Sequence, residues 1–188
     1  MDARDEERLL LGWRRGDPES VRRVVSLWGP VMLRVALALC PRLEDAEDVV
    51  QDALLLAHRS LGEFDPRRGT PRTWLVGVTV NRARQVRRGQ TRYAGLLDRF
   101  LRQPYDSASM GPASGDLAFA RKCLGALPGR EREAFVLVEM EELSSEQAAR
   151  LMGVTGSTVR VLLARARKHL RHRAAVASPM SLRAEGKS

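Results

Sequence analysis

Apolar residues recur along this chain in steps of three and four, and no stretch shows the strict alternation of a half-buried strand. Leu9, Leu10 and Trp13 give one face to a short helix over residues 3–16. Asp17 and Pro18 then predict a new start, with Asp17 as cap and Pro18 at the first helical position. Val21, Val24, Val25 and Trp28 supply the buried face of this second helix. Gly29-Pro30 predicts a break or kink, after which Val31, Val35 and Leu39 continue the pattern to Cys40-Pro41. The most regular segment is about 44–60, where Ala46, Val49, Val50, Ala53, Leu54, Ala57 and Leu61 mark one stripe. Gly62 to Pro71 reads as a Gly/Pro-rich loop. A further helix follows from about Arg72, with Trp74, Leu75, Val78 and Val80 inward.

From Gly89 to Gly115 the periodicity fades, apart from one short helix around Leu96, Leu97, Phe100 and Leu101, and Gln103 to Ser114 has the composition of a flexible linker. Asp116 then caps a helix carrying Leu117, Ala120, Leu124 and Leu127. Pro128-Gly129 turns the chain into a helix over 131–141 with Phe135, Leu137 and Val138. Residues 143–170 predict two helices joined by a tight turn. Ser144 or Ser145 caps the first, Gly153 ends it, and Thr155 caps the second. Val159, Leu162, Leu163, Ala166 and Leu170 form one continuous stripe on the second helix. The expected fold is all-α, with two small helical domains at 1–92 and 116–173, a linker at 93–115 and a disordered tail at 174–188.

Charge changes this picture from a plain helical protein to one with partners. The net charge is +9, which favours a polyanionic ligand. Residues 67–92 hold eight arginines and no acid, whereas 44–52 hold five acids and no base. A second acidic stretch runs from Glu131 through Glu133, Glu139, Glu141 and Glu142 to Glu146. On the last helix Arg160, Arg165, Arg167, Lys168, Arg171 and Arg173 lie off the apolar stripe, and no carboxylate occurs from Thr155 to Arg173. Ala149, Gly153 and Val159 are spaced as in a DNA-reading helix-turn-helix. The alternative is a solvated basic helix in an ordinary bundle; the one-sided charge favours DNA.

The acids of 44–52 also suit the dipole of their own helix. Five in nine residues, with Gln51 and Leu55 beside them, exceed that need and point to a docking surface for a basic partner protein. The loop containing Phe64 and the arginine-lined helix after it together resemble a cradle for single-stranded nucleic acid, although Phe64 and Trp74 taken singly read as core residues. The two cysteines are far apart, and the three histidines show no metal-ligand spacing. Nor is there a nucleophile motif or a phosphate-cradling glycine loop, so neither an enzyme nor a cofactor or metal site is expected. No apolar run approaches the length of a membrane span and the start is not a signal peptide, which predicts a cytoplasmic protein without membrane insertion.

Several of these stretches resemble one family. Asp45-Ala46-Glu47-Asp48-Val49-Val50-Gln51-Asp52, then Phe64-Asp65-Pro66, then Thr73-Trp74-Leu75 with Asn81, resemble region 2 of bacterial extracytoplasmic-function (group 4) sigma factors. Ala126 to Phe135 resembles the start of their region 4, and Leu143 to Arg167 its helix-turn-helix. The resemblance covers about residues 5–173 without the linker. It implies that Asp45, Glu47, Asp48, Gln51 and Asp52 contact the β′ clamp helices of core RNA polymerase. It further implies that the loop Phe64 to Pro71, with Phe64, Asp65, Arg67 and Arg68, captures a flipped non-template base of the −10 element. Arg72, Asn81, Arg84, Arg87 and Arg88 would then hold adjacent DNA. Ser157, Thr158, Arg160 and Val161 would read the −35 duplex, with Arg165 and Arg167 on phosphates or base edges.

The implied function is promoter recognition on behalf of core polymerase, with promoter DNA and an anti-sigma factor as further partners and no small-molecule substrate. A stand-alone DNA-binding regulator is the alternative, and it leaves 44–88 unexplained. Two departures stand out. Val161-Leu162 occupies positions where the family often has a small polar residue and Arg, which implies one contact fewer and an altered −35 preference. Thr155-Gly156 replaces a commoner Pro-Val, which implies a looser first turn in the recognition helix.

Overall fold

The computed structural model describes the backbone of residues 3–40, 42–101 and 122–177, and the side chains of 5–40, 42–89 and 122–173. Every regular element among them is helical, and the chain divides into two compact units at Gly111/Pro112. The expected Asp116 cap, most of the expected linker and the last residues of the tail lie outside the described residues.

The first unit contains α1 (Ala3–Arg14), α2 (Pro18–Leu39), α3 (Leu43–Arg59) and α4 (Pro71–Leu101). Asp17 caps α2 as its sequence position predicts, accepting hydrogen bonds from the backbone N–H of Ser20 at 2.8 Å and its hydroxyl at 2.6 Å. Those bonds, the hydroxyl's first, hold the Asp17 carboxyl below its ordinary value. Pro30 does not end α2. The helix continues through it because Val24, Trp28, Met32, Val35 and Leu39, on both sides of the proline, all bury into one core. Val25, expected inward, is 45% exposed; it lies one residue, or 100°, past Val24 and off the buried stripe.

Leu9, Leu10 and Trp13 from α1, Val24, Trp28 and Met32 from α2, Ala53 and Ala57 from α3, Leu61 and Leu75 form a common cluster. The small alanines of α3 allow close approach of its neighbours, and this fixes which α3 residues are left facing out. Helix α4 runs through Leu101, past Gly89 where the periodicity fades and past residue 92, the expected end of the first domain. Gly89 and Gly95 each lower helix propensity by about 1 kcal/mol relative to alanine but do not break a helix, and no proline follows Pro71 until Pro104.

The second unit contains a helical stretch at 122–125, then α5 (Gly129–Phe135), which passes into a π-helical turn (Val136–Met140), then α6 (Ser145–Met152) and α7 (Gly156–Ala177). Its core is Leu127, Ala134, Val136, Leu137, Leu143, Ala148, Met152, Val159, Leu163 and Ala166. Helix α7 continues through Ala177, four residues into the segment expected to be disordered. Ser144, the first of the two serines proposed as cap, makes a full capping box. Its hydroxyl accepts from Gln147 N–H at 3.1 Å and its own N–H donates to the Gln147 side chain at 2.8 Å. Ser144→Ala should therefore lower the unfolding free energy of this unit by about 1 kcal/mol in a urea titration.

Candidate nucleic-acid and polymerase interfaces

On α3, Glu44, Glu47, Asp48 and Gln51 are exposed, and Leu55 is 56% exposed. Positions 44, 48, 51 and 55 share one strip at 3.6 residues per turn, so the outward acidic face with Gln51 and Leu55 is present. Two members of the expected set stand apart from it. Asp45 is 8% exposed, and Arg42 grips it through Nε at 2.9 Å and Nη2 at 2.8 Å. It is turned inward because it lies one turn before Val49 on the side of the helix that meets the core. Asp52 is half-buried and accepts from Arg82 Nε of α4 at 2.8 Å. That pair tethers α3 to α4 and walls a polar recess of about 300 Å³ together with Asp45, Asp48, Gln51 and Val86. The free acidic strip is therefore narrower than the sequence implied: Glu44, Glu47 and Asp48.

Between α3 and α4 the chain makes a 3₁₀ turn (Leu61–Glu63) and an exposed loop. Phe64 is partly buried, its ring 5.5 Å from that of Trp74 and tilted by 54°, and both pack on the core cluster. The core reading of these two aromatics is correct, and the same packing anchors the loop at its base. Asp65 accepts the backbone N–H of Arg67 at 2.9 Å and fixes the turn that leaves Arg67 and Arg68 exposed. Thr70 caps α4 through the N–H of Thr73 at 3.2 Å. Further along α4, Asn81 and Arg88 are exposed, Arg84 donates to Asn81 Oδ1 at 3.0 Å, and Arg87 is half-buried. Arg72 precedes Asn81 by nine residues, half a revolution around the helix, so it belongs with the loop and not with the Asn81–Arg88 strip.

In the second unit, Gly153 takes the left-handed conformation (φ 65°) that closes the turn, with Val154 N–H donating to Ala149 C=O at 3.1 Å. Arg130 donates to the Met152 carbonyl at 3.1 Å, which satisfies the end of α6 from outside the motif. The first turn of α7 is formed despite Gly156. Thr155 Oγ1 accepts the N–H of Thr158 at 3.3 Å and lies 2.9 Å from the hydroxyls of both Ser157 and Thr158. A β-carbon on Gly156 would lie 3.0 Å from Glu146 Oε1, the atom that accepts from Arg160 Nη1 at 3.2 Å. The glycine thus leaves space for an ion pair that holds the arginine expected to read DNA.

The second acidic stretch serves mainly inside this unit. Glu131 meets His169 Nδ1 at 2.7 Å, Glu139 accepts from Arg167, and Glu146 accepts from Arg160. Three separate carboxylates therefore seat α7 on its neighbours, and Glu131, Glu133 and Glu141 are buried. Arg167, an expected DNA contact, is drawn toward the π-helical turn by Glu139. Ser157, Thr158, Arg160, Val161 and Arg165 remain exposed, and among the described residues Arg165 makes no ion pair. Arg160→Ala should weaken binding to a −35 duplex by ~1–3 kcal/mol and binding to a scrambled duplex by less. Fluorescence anisotropy on the two duplexes measures the difference; equal losses would make Arg160 a phosphate contact only.

Comparison with known proteins places these surfaces in a family context. The family model described as "Sigma-70 region 2" matches residues 24–93, and that described as "Sigma-70, region 4" matches residues 120–170. The chain is 32% identical over 143 residues to the ECF RNA polymerase sigma factor SigE of Mycolicibacterium smegmatis, covering 73% of this chain and 55% of that protein. It is 29% identical over 168 residues to the ECF RNA polymerase sigma factor SigM of Mycobacterium tuberculosis, covering 89% of this chain and 83% of that one. Among solved structures, the sigma factor RpoE in complex with the anti-sigma factor NepR from Bartonella quintana superposes with a TM-score of 0.69 at 26% identity, over 84% of this chain and 98% of that chain. CnrH in complex with the cytosolic domain of CnrY gives the same TM-score at 24% identity and supports the fold.

Proposed function

The chain belongs to the extracytoplasmic-function branch of the sigma-70 family, and on that premise we propose that it directs bacterial core RNA polymerase to a specific set of promoters. One observation carries the reading. The two family matches fall, in order, on the unit bearing the exposed acidic strip of α3 and on the unit bearing the helix-turn-helix. The acidic strip supplies a docking face for a basic surface of polymerase, with Asp48 at its centre and Gln51 and Leu55 beside it. The loop from Phe64 to Pro71 and the Asn81–Arg88 strip supply contacts for the −10 element, Arg67 and Arg68 meeting the separated strand. Trapping one base outside the stack costs a few kcal/mol, which contacts in the loop must offset. Helix α7 supplies the −35 contacts through its exposed first turns.

The protein supplies binding and geometry, with no chemical step of its own, and works in the cytoplasm where polymerase and promoter DNA are found. No helix among the described residues is long and apolar enough to cross a membrane. The RpoE relative was solved with an anti-sigma factor bound, which supports a protein inhibitor as a third partner here. A stand-alone regulator would use only the second unit. Selection of bound sequences from a random DNA library, with the full chain alone and with core polymerase added, separates the two. Enrichment of a bipartite −35/−10 sequence only when polymerase is present is the expected result. Enrichment of one sequence by the chain alone, unchanged by polymerase, would favour the regulator.

A further inference from the structure

The outermost strip of α7 carries no charged residue before Lys168. Ser157, Val161, Ala164 and Lys168 follow one another at steps of four, three and four residues, all exposed, directly opposite the buried Val159, Leu163 and Ala166. Val161 is 51% exposed and fills no part of the core. A β-branched residue there also costs helix propensity relative to the alanine three positions on. Arg160 flanks this strip on one side and Arg165 on the other. The hydroxyls of Ser157 and Thr158 lie within hydrogen-bond distance of Thr155 Oγ1, which leaves the centre of the strip lined by the methyl groups of Val161 and Ala164.

A helix laid in the major groove with this face inward meets base edges that are polar except at one group, the C5 methyl of thymine. Guanidinium groups on both flanks pull the helix toward phosphates and guanine edges, and they exclude a purely apolar occupant for the strip. We propose that Val161, supported by Ala164, reads the 5-methyl group of one thymine in the −35 duplex. The proposal rests on the −35 reading above and adds the chemical group that is recognised. Removing that methyl exposes apolar surface that would otherwise be buried against the valine. It alters no hydrogen-bonding atom of the base pair, so the contribution can be isolated.

The test uses holoenzyme reconstituted from the full chain and core polymerase, with the −35 sequence enriched from a random library. Each thymine is replaced singly by deoxyuridine. One replacement should weaken binding about three- to tenfold, and the same replacement should change binding by Val161→Ala holoenzyme less than about twofold. Val161 is exposed, so the variant keeps its core. Discrimination against a scrambled −35 duplex with every uracil tolerated would overturn the methyl assignment and leave the −35 reading intact. A loss of equal size in wild type and variant would likewise overturn it. No discrimination against the scrambled duplex would remove the −35 reading itself, and the proposal with it.

Discussion

Asp48→Arg is expected to lower the affinity of the chain for core polymerase about a hundredfold or more, with no change in thermal unfolding. Asp48 is exposed at the middle of the α3 strip, between Glu44 one turn before it and Gln51 one turn after. Reversing a charge that meets a basic surface removes an attraction and adds a repulsion, and losses of about 3 kcal/mol correspond to that factor. Because the side chain lies away from the core, the fold carries no part of the penalty. Asp45 gives the contrasting control. Its carboxylate is buried against Arg42, so Asp45→Asn should act on the start of α3 and leave polymerase binding within a fewfold of wild type. Titrating labelled core enzyme with each variant measures both; equal losses would mean that the strip is not the docking face.

Trp28→Ala should have the largest effect on stability, about 3–5 kcal/mol from the first unit. Trp28 is 6% exposed and belongs to the cluster in which α1, α2, α3 and α4 meet. A small domain has about 5–15 kcal/mol in total, so the variant sits near the edge of folding at 37 °C. Urea denaturation of the full chain, followed by tryptophan fluorescence from Trp13 and Trp74, reports the shift. The second unit contains no tryptophan, and its helical signal should unfold at an unchanged midpoint. A loss below about 1 kcal/mol would mean that the four-helix packing is not what holds this unit together.

The helices and caps were legible because they depend on neighbours in sequence. Asp17, Ser144, Gly153 and Thr155 act on residues two to five positions away, and the 3.6-residue stripes gave the core of α3 and α7 almost completely. What the sequence did not reveal was mostly pairing over distance. Arg82 reaches Asp52 across 30 positions, Arg167 reaches Glu139 across 28 and His169 reaches Glu131 across 38. Each pair converts a charge that looked available to a partner into one that holds two helices together. The second acidic stretch changed meaning for this reason, from a surface feature to the seat of the recognition helix. Asp45 could have been read from its place one turn before Val49, with Arg42 three residues before it, but the run of five acids concealed it. Helix α4 runs further than its pattern suggests because fading periodicity does not end a helix, whereas proline does, and the next proline after Pro71 is Pro104. The Gly156 departure has a reason that only the folded chain brings about: the Glu146 carboxylate, ten positions earlier, occupies the space beside it.

Multi-round transcription by bacterial core polymerase on a pool of genomic promoters, with and without the full chain, tests the central claim most directly. A few discrete start sites that require the chain, and share −35 and −10 sequences at fixed spacing, are the predicted result. Transcripts unchanged by the chain, from polymerase shown to be active with another specificity subunit, would contradict it.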